Sequence, residues 1–181
     1  MLNIVLLEPE IPENTGNIGR TCVAAGARLH LIEPLGFHLT QRNIKRAGMD
    51  YWERLDLSRY SCFEDFLEKN PRADRRLCPA GARPDLFLAT TKGRQLYTQA
   101  AFGSDSYIMF GKESAGIPEE ILMDHPQQCI RIPMMGDTRS LNLANSVAIV
   151  LYEALRQTGF AGMNTQGELH HHSWGGQESD L

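Results

Sequence analysis

Three polar segments hold the side chains best suited to chemistry. The first runs Pro9-Glu10-Ile11-Pro12-Glu13-Asn14-Thr15-Gly16-Asn17-Ile18-Gly19-Arg20-Thr21. Its prolines disfavour helix in the residues before them, so the chain stays extended until Asn14 or Thr15 can cap a helix. A helix start carrying Gly16, Gly19 and a guanidinium can hold a phosphate, although many helices begin this way. The second segment takes an apolar strand from Tyr107 through Gly111-Lys112-Glu113-Ser114-Ala115-Gly116 to Pro118, a favoured first residue of a helix. A ligand loop at a strand's carboxyl end and ordinary turn chemistry explain it equally well. In the third, Ile130-Arg-Ile-Pro133 leads through Met134-Met-Gly-Asp137 to Arg139-Ser140-Leu141-Asn142-Leu143-Ala144-Asn145. Ser140 or Asn142 can cap the helix that follows. The remaining hydroxyls and amides beside so apolar a helix need partners, either a tight loop's backbone or a bound ligand.

A frame of alternating strands and helices must position these segments. Short apolar runs near 2–7, 28–33, 85–90, 107–110 and 128–132, with a weaker one near 54–57, read as strands. Helical patterns fall near 15–25, 40–48, 62–69, 94–101, 118–123 and 142–158. This alternation predicts an α/β fold with a mostly parallel sheet flanked by helices. In 15–25, Ile18, Cys22 and Ala25 share a face. At about 100° per residue, Arg20 lies about 200° from Ile18 and points away from the core. In 142–158, Leu143, Val147, Val150, Leu151, Ala154 and Leu155 form one apolar face, and Ile149 and Tyr152 extend a second. A helix apolar on two sides needs another surface over it, from a second copy or from deeper burial within one subunit.

Composition bounds the partners. The 181 residues, 42% apolar and 22% charged, suit one soluble domain with a sizeable core. We expect that domain over 1–160, with a mobile basic surface insertion near 70–84 and a disordered Gly-, Ser- and His-rich tail over 161–181. No run approaches the roughly 20 apolar residues that cross a bilayer, and the N-terminus lacks a signal-peptide pattern. The expectation is therefore a cytoplasmic protein without a membrane partner. The formal charge of −4 argues mildly against nucleic acid, yet the tail's Glu168, Glu178 and Asp180 account for all but −1 of it. Lys69, Arg72, Arg75, Arg76 and Arg83, and separately Arg42, Lys45 and Arg46 on one helix face, could engage phosphates or simply be solvated. Cys22, Cys62, Cys78 and Cys129 are too scattered for a metal or redox motif and are expected to be buried thiols. His170, His171 and His172 stand in the tail without accompanying ligands, so no metal is expected.

Taken in order, the three segments closely resemble the motifs of the SPOUT RNA methyltransferases of the TrmH/SpoU type. Within them they are most similar to the small TrmL group, the tRNA wobble-nucleotide 2′-O-methyltransferases. Asn14-Thr-Gly-Asn-Ile-Gly-Arg20-Thr resembles motif one, Phe110-Gly-Lys-Glu113 with Gly116 motif two, and Arg139-Ser-Leu-Asn-Leu-Ala-Asn145 motif three. Arg46-Ala-Gly-Met-Asp50-Tyr51-Trp52 also resembles a stretch typical of the group. The likeness spans roughly residues 1–160 apart from the insertion. It implies a parallel sheet whose C-terminal part is threaded into a deep trefoil knot, and a homodimer joined through 15–25 and 142–158. It implies S-adenosylmethionine as cofactor, held by Ala89, Gly111, Ile132, Ser140 and Leu141. The implied substrate is the ribose 2′-hydroxyl of a wobble cytidine or uridine in a tRNA anticodon stem-loop.

For catalysis the resemblance points to Arg20 with Asn14, Ser140 and Asn142, and for substrate contacts to Arg20, Arg46, Glu113 and Tyr152. A guanidinium normally stays protonated, so Arg20 is expected to position phosphate and hydroxyl and to stabilise negative charge rather than act as a base. Ala115 stands where many relatives carry Arg. Other readings use the same residues. A Rossmann-type nucleotide-binding protein would use Gly16, Gly19 and Glu33, but no G-x-G-x-x-G follows the first strand. A non-catalytic RNA-binding dimer would carry a decayed site, against which stand intact Arg20, Glu113, Ser140 and Asn142. Another tRNA position, or rRNA, is the alternative substrate.

Overall fold

Apolar runs that lack polar alternation become strands covered on both faces. In the computed structural model, β1 (Asn3–Leu7) is the plainest case, buried at every residue. Ile4 and Leu6 enter one core cluster while Val5 and Leu7 enter the other, as the two-residue period of a strand requires. The structure describes residues 1–38, 51–77, 85–136, 139–172 and 174. Among them the other strands are β2 (Arg28–Ile32), β3 (Leu57–Tyr60), β4 (Leu86–Ala89), β5 (Gln95–Leu96), β6 (Tyr107–Phe110) and β7 (Cys129–Arg131). The helices are α1 (Pro12–Ala25), α2 (Phe63–Lys69), α3 (Glu119–Asp124) and α4 (Leu143–Gln157).

The strands form one sheet in the order β3-β2-β1-β6-β4-β7-β5, and every pair is parallel. The α1 and α4 helices pack together over one face, burying Ile18, Cys22, Val147, Val150 and Leu151 against Leu29, Leu31 and Ile108. On the other face, Phe66 and Leu67 of α2 and Leu122 of α3 cover Val5, Ile32, Leu88 and Met109. The predicted parallel α/β frame is therefore present.

Several local expectations need correction. Residues 94–101 form no α-helix: Gln95 and Leu96 pair with Ile130 and Arg131, and a short 3-10 turn follows over Tyr97–Gln99. Edge pairing here outweighs a helix-compatible composition. The weak strand near 54–57 lies later, at Leu57–Tyr60, because Trp52–Arg54 closes a 3-10 turn first. In the insertion, Ala73 and Asp74 are buried while Pro71, Arg72, Arg76 and Leu77 are exposed. The helix read at 40–48 and residues 78–84 lie outside the described residues. Beyond α4, Phe160 and Met163 pack on the core, and 164–172 are exposed. No described helix is long and apolar enough to cross a membrane.

Candidate active site

Ligands of parallel α/β sheets lie beyond the carboxyl ends of the strands. Here the segments leaving β4, β6 and β7 enclose a cleft of ≈ 660 Å³. Ala89, Gly111, Ile132, Ser140 and Leu141 all line it, so the five positions carried over for the cofactor meet in one place. Asn14, Glu113 and Asn142 line it as well. Phe110 and Ile117 add apolar wall, while Lys92 and Arg139 add positive charge. Thr90, Thr91 and Lys92 were not singled out from sequence, although they stand at and just beyond the end of a predicted strand.

One hydrogen-bonded chain ties the three polar segments together. The Glu113 carboxylate accepts from the backbone N–H of Glu10 (2.8 Å) and of Ile11 (3.3 Å), and from Asn14 Nδ2 (2.9 Å). A carboxylate suits this place, because the start of α1 has free N–H groups and the positive end of the helix dipole. Asn14 Oδ1 in turn accepts from Asn142 Nδ2 at 3.0 Å. Asn142 Oδ1 accepts from the N–H groups of Ala144 (2.9 Å) and Asn145 (3.2 Å), which caps α4. Glu113 is therefore engaged by its own chain on both oxygens. Asn14 does not cap α1; that helix begins at Pro12, with Ile11 at its cap position, and Asn14 reaches across to the other segments.

Two ion contacts brace the same wall. Ser114 donates from its N–H and its hydroxyl to the Glu10 carboxylate, both at 2.8 Å. Those bonds hold the Glu10 carboxyl below the usual carboxylate range. Lys112 Nζ pairs with Glu8 Oε2 at 2.8 Å, and the bond raises the lysine's pKa. Neither Glu8 nor Glu10 was legible as a site residue, because their partners lie 104 residues away. Gly111 has a steric reason of its own. An added Cβ would sit 2.0 Å from the carbonyl carbon of Gly116 and 2.2 Å from Ile117 N, so the loop's own return, not a ligand, demands glycine.

Of the remaining expected site residues, Arg20 and Tyr152 do not line the cleft of this single chain. Arg20 is exposed, as its helical angle requires, and does not line the cleft. It lies six residues beyond Asn14, about 9 Å along the helix axis. Tyr152, 43% exposed, is on the outer face of α4 with Ile149. Arg46, with Arg42 and Lys45, is outside the described residues.

Three cations of the basic cluster are paired. Arg72 pairs with Asp85 and Asp105, Arg76 with Asp74, and Lys69 with Asp65. Cys22 and Cys129 are buried, and burial pushes the Cys22 thiol up to about 12. Cys62 corrects the expectation for cysteine: it is exposed and caps α2 through Sγ. No group of three or more His, Cys, Asp or Glu among the described residues could hold a metal ion.

A parallel sheet whose carboxyl-end loops close around a partly apolar cleft defines an α/β protein that binds a small cofactor at that edge. Residues 1–152 match the SpoU rRNA methylase family, and the chain belongs to it. The Aeromonas hydrophila protein named tRNA (cytidine(34)-2'-O)-methyltransferase is 48% identical over 163 residues, which cover 90% of this chain and 97% of that protein. A solved structure described as giving structural insights into 2-OH methylation of C/U34 on tRNA is 45% identical, with a TM-score of 0.75 over 88% of this chain and 97% of that one. An AdoMet-bound rRNA methyltransferase from Sinorhizobium meliloti is 27% identical, with a TM-score of 0.69 over 86% of this chain and 56% of that one.

Proposed function

We propose that this chain transfers a methyl group from S-adenosylmethionine to the ribose 2′-hydroxyl of the wobble nucleotide, cytidine or uridine, in a tRNA anticodon stem-loop. The observation that carries the reading is the chain Glu113–Asn14–Asn142, which makes one cleft wall from three distant segments. The substrate is taken from relatives that are similar across nearly their whole length.

The residues present fit the cofactor. A cleft of ≈ 660 Å³ is within the roughly 300–1,000 Å³ of small-molecule sites. Small residues at Ala89, Gly111 and Ser140 leave main-chain groups accessible, and Phe110, Ile117 and Ile132 offer an apolar surface to an adenine ring. When bound, the cofactor supplies a sulfonium methyl as the electrophile. A ribose hydroxyl is a weak nucleophile and must be oriented, with its developing charge stabilised. Arg20 does this as a permanent cation that binds the adjacent phosphate and the reacting oxygen. Ser140 faces the cleft, while Asn14 and Asn142 keep the wall in register.

The reading includes a homodimer joined through α1 and α4, a trefoil threading of the C-terminal part, and a cytoplasmic place for the enzyme. The outer stripe of α4 supports the dimer, with Ile149 36% and Tyr152 43% exposed beside α1. On this reading Arg20 of one chain serves the cleft of the other, and Tyr152 stands at the seam.

The test incubates the protein with methyl-labelled S-adenosylmethionine and unmodified bulk tRNA, then locates the label by nuclease digestion and mass spectrometry. The expected result is label on a wobble ribose that Arg20→Ala cuts to a slow residual rate. Label on another nucleotide, or on rRNA alone, overturns the substrate assignment.

A further inference from the structure

We infer that Tyr51 is the residue that positions Arg20, acting as an aromatic platform beneath its guanidinium. The inference rests on the reading that Arg20 meets the substrate. Tyr51 is 5% exposed, and the guanidinium carbon of Arg20 lies 5.0 Å from its ring centroid. The ring is itself pinned, because its hydroxyl donates to the carbonyl of Gly16. One turn on, a Cβ at Gly19 would lie 3.5 Å from Tyr51 Cε2, 3.3 Å from Trp52 Cζ3 and 3.2 Å from Leu55 Cδ2. The bare Cα of Gly19 thus lets Tyr51, Trp52 and Leu55 seat closely on α1 beside Arg20.

The type of contact matters. Among the described residues no carboxylate pairs with Arg20. An acidic partner would neutralise the cation and occupy the N–H groups that a phosphate needs. An aromatic face attracts the guanidinium through its quadrupole and leaves those donors at the edge free. Tyr51 therefore restrains a long, flexible side chain without consuming its binding capacity, and it acts through Arg20 rather than on the substrate.

The experiment is single-turnover methyl transfer to tRNA at saturating cofactor, with cofactor affinity and melting temperature measured on each variant. Tyr51→Leu is expected to slow transfer about tenfold, the scale of a partly desolvated cation–π contact, with cofactor affinity unchanged. Tyr51→Phe keeps the ring and should stay within about threefold of wild type. Pentafluorophenylalanine in place of Tyr51 keeps the shape but reverses the quadrupole, and its rate should fall toward that of the Leu variant. In an Arg20→Ala background, Tyr51→Leu should cause no further loss. Equal rates for the Phe and pentafluoro variants overturn the inference even if Tyr51→Leu does not fold. So does a Leu effect that persists undiminished without Arg20. A wild-type chain that binds cofactor but labels no RNA ribose overturns the functional reading, and this inference with it.

Discussion

Replacing Glu113 with Gln tests whether the cleft wall depends on one carboxylate. The change keeps the shape and removes the charge and one acceptor. Glu10 N–H donates to one oxygen, while Ile11 N–H and Asn14 Nδ2 donate to the other. Whichever way the new amide turns, its NH2 faces at least one of these donors. The Ile11 bond is exposed and long at 3.3 Å, so the Glu10 and Asn14 bonds at 2.8 and 2.9 Å dominate. Exchanging two partly buried, charge-assisted bonds for one neutral bond and one clash costs about 2–4 kcal/mol. In a chain of this size that lowers the melting temperature by roughly 5–15 °C. Thermal melts with and without S-adenosylmethionine read the stability term, and single-turnover methyl transfer reads the alignment of Asn14. A Gln variant that melts within about 1 °C of wild type and transfers methyl at the same rate would refute the reasoning.

Three further outcomes follow from the same structure. Gly111→Ala puts its Cβ 2.0 Å from the carbonyl carbon of Gly116, where only backbone can yield. Urea unfolding should show a loss of about 3 kcal/mol or more, and calorimetry should show no cofactor binding. His30 is buried between Tyr60 and Asn3; burial, more than the nearby Arg28 charge, pushes its pKa down to about 4 from 6.5. The unfolded chain therefore takes up the proton first, so the contribution is complete above about pH 6.5 and drains away as pH falls toward about 4, by about 3 kcal/mol at most. In His30→Gln the fall in melting temperature across that window should be shallower than in wild type; identical slopes would sink the assignment. Tyr152→Asp places a charge on the exposed stripe of α4, and light scattering should find monomers with unchanged cofactor affinity. A Tyr152→Asp dimer as tight as wild type would move the interface elsewhere.

Local chemistry made much of this protein legible before any coordinates. Apolar runs such as Asn3–Leu7 announce strands covered on both faces, and alternation with helical patterns announces a parallel sheet. The helical period alone turned Arg20 outward and gave α4 a second apolar side, because both depend only on residues within a few turns. The three polar segments could be named for the same reason. What each residue in them does was decided by contacts between positions about a hundred apart, which no local pattern encodes. Glu113 holds the start of α1, and Ser114 occupies Glu10. Edge pairing with β7 turned Gln95 and Leu96 into a strand. The seat of Tyr51 against α1 at Gly19, which places a π face under Arg20, likewise exists only once the chain has folded back on α1. Residue types set which chemistry was available; the packing of distant segments decided which atoms remained free to perform it.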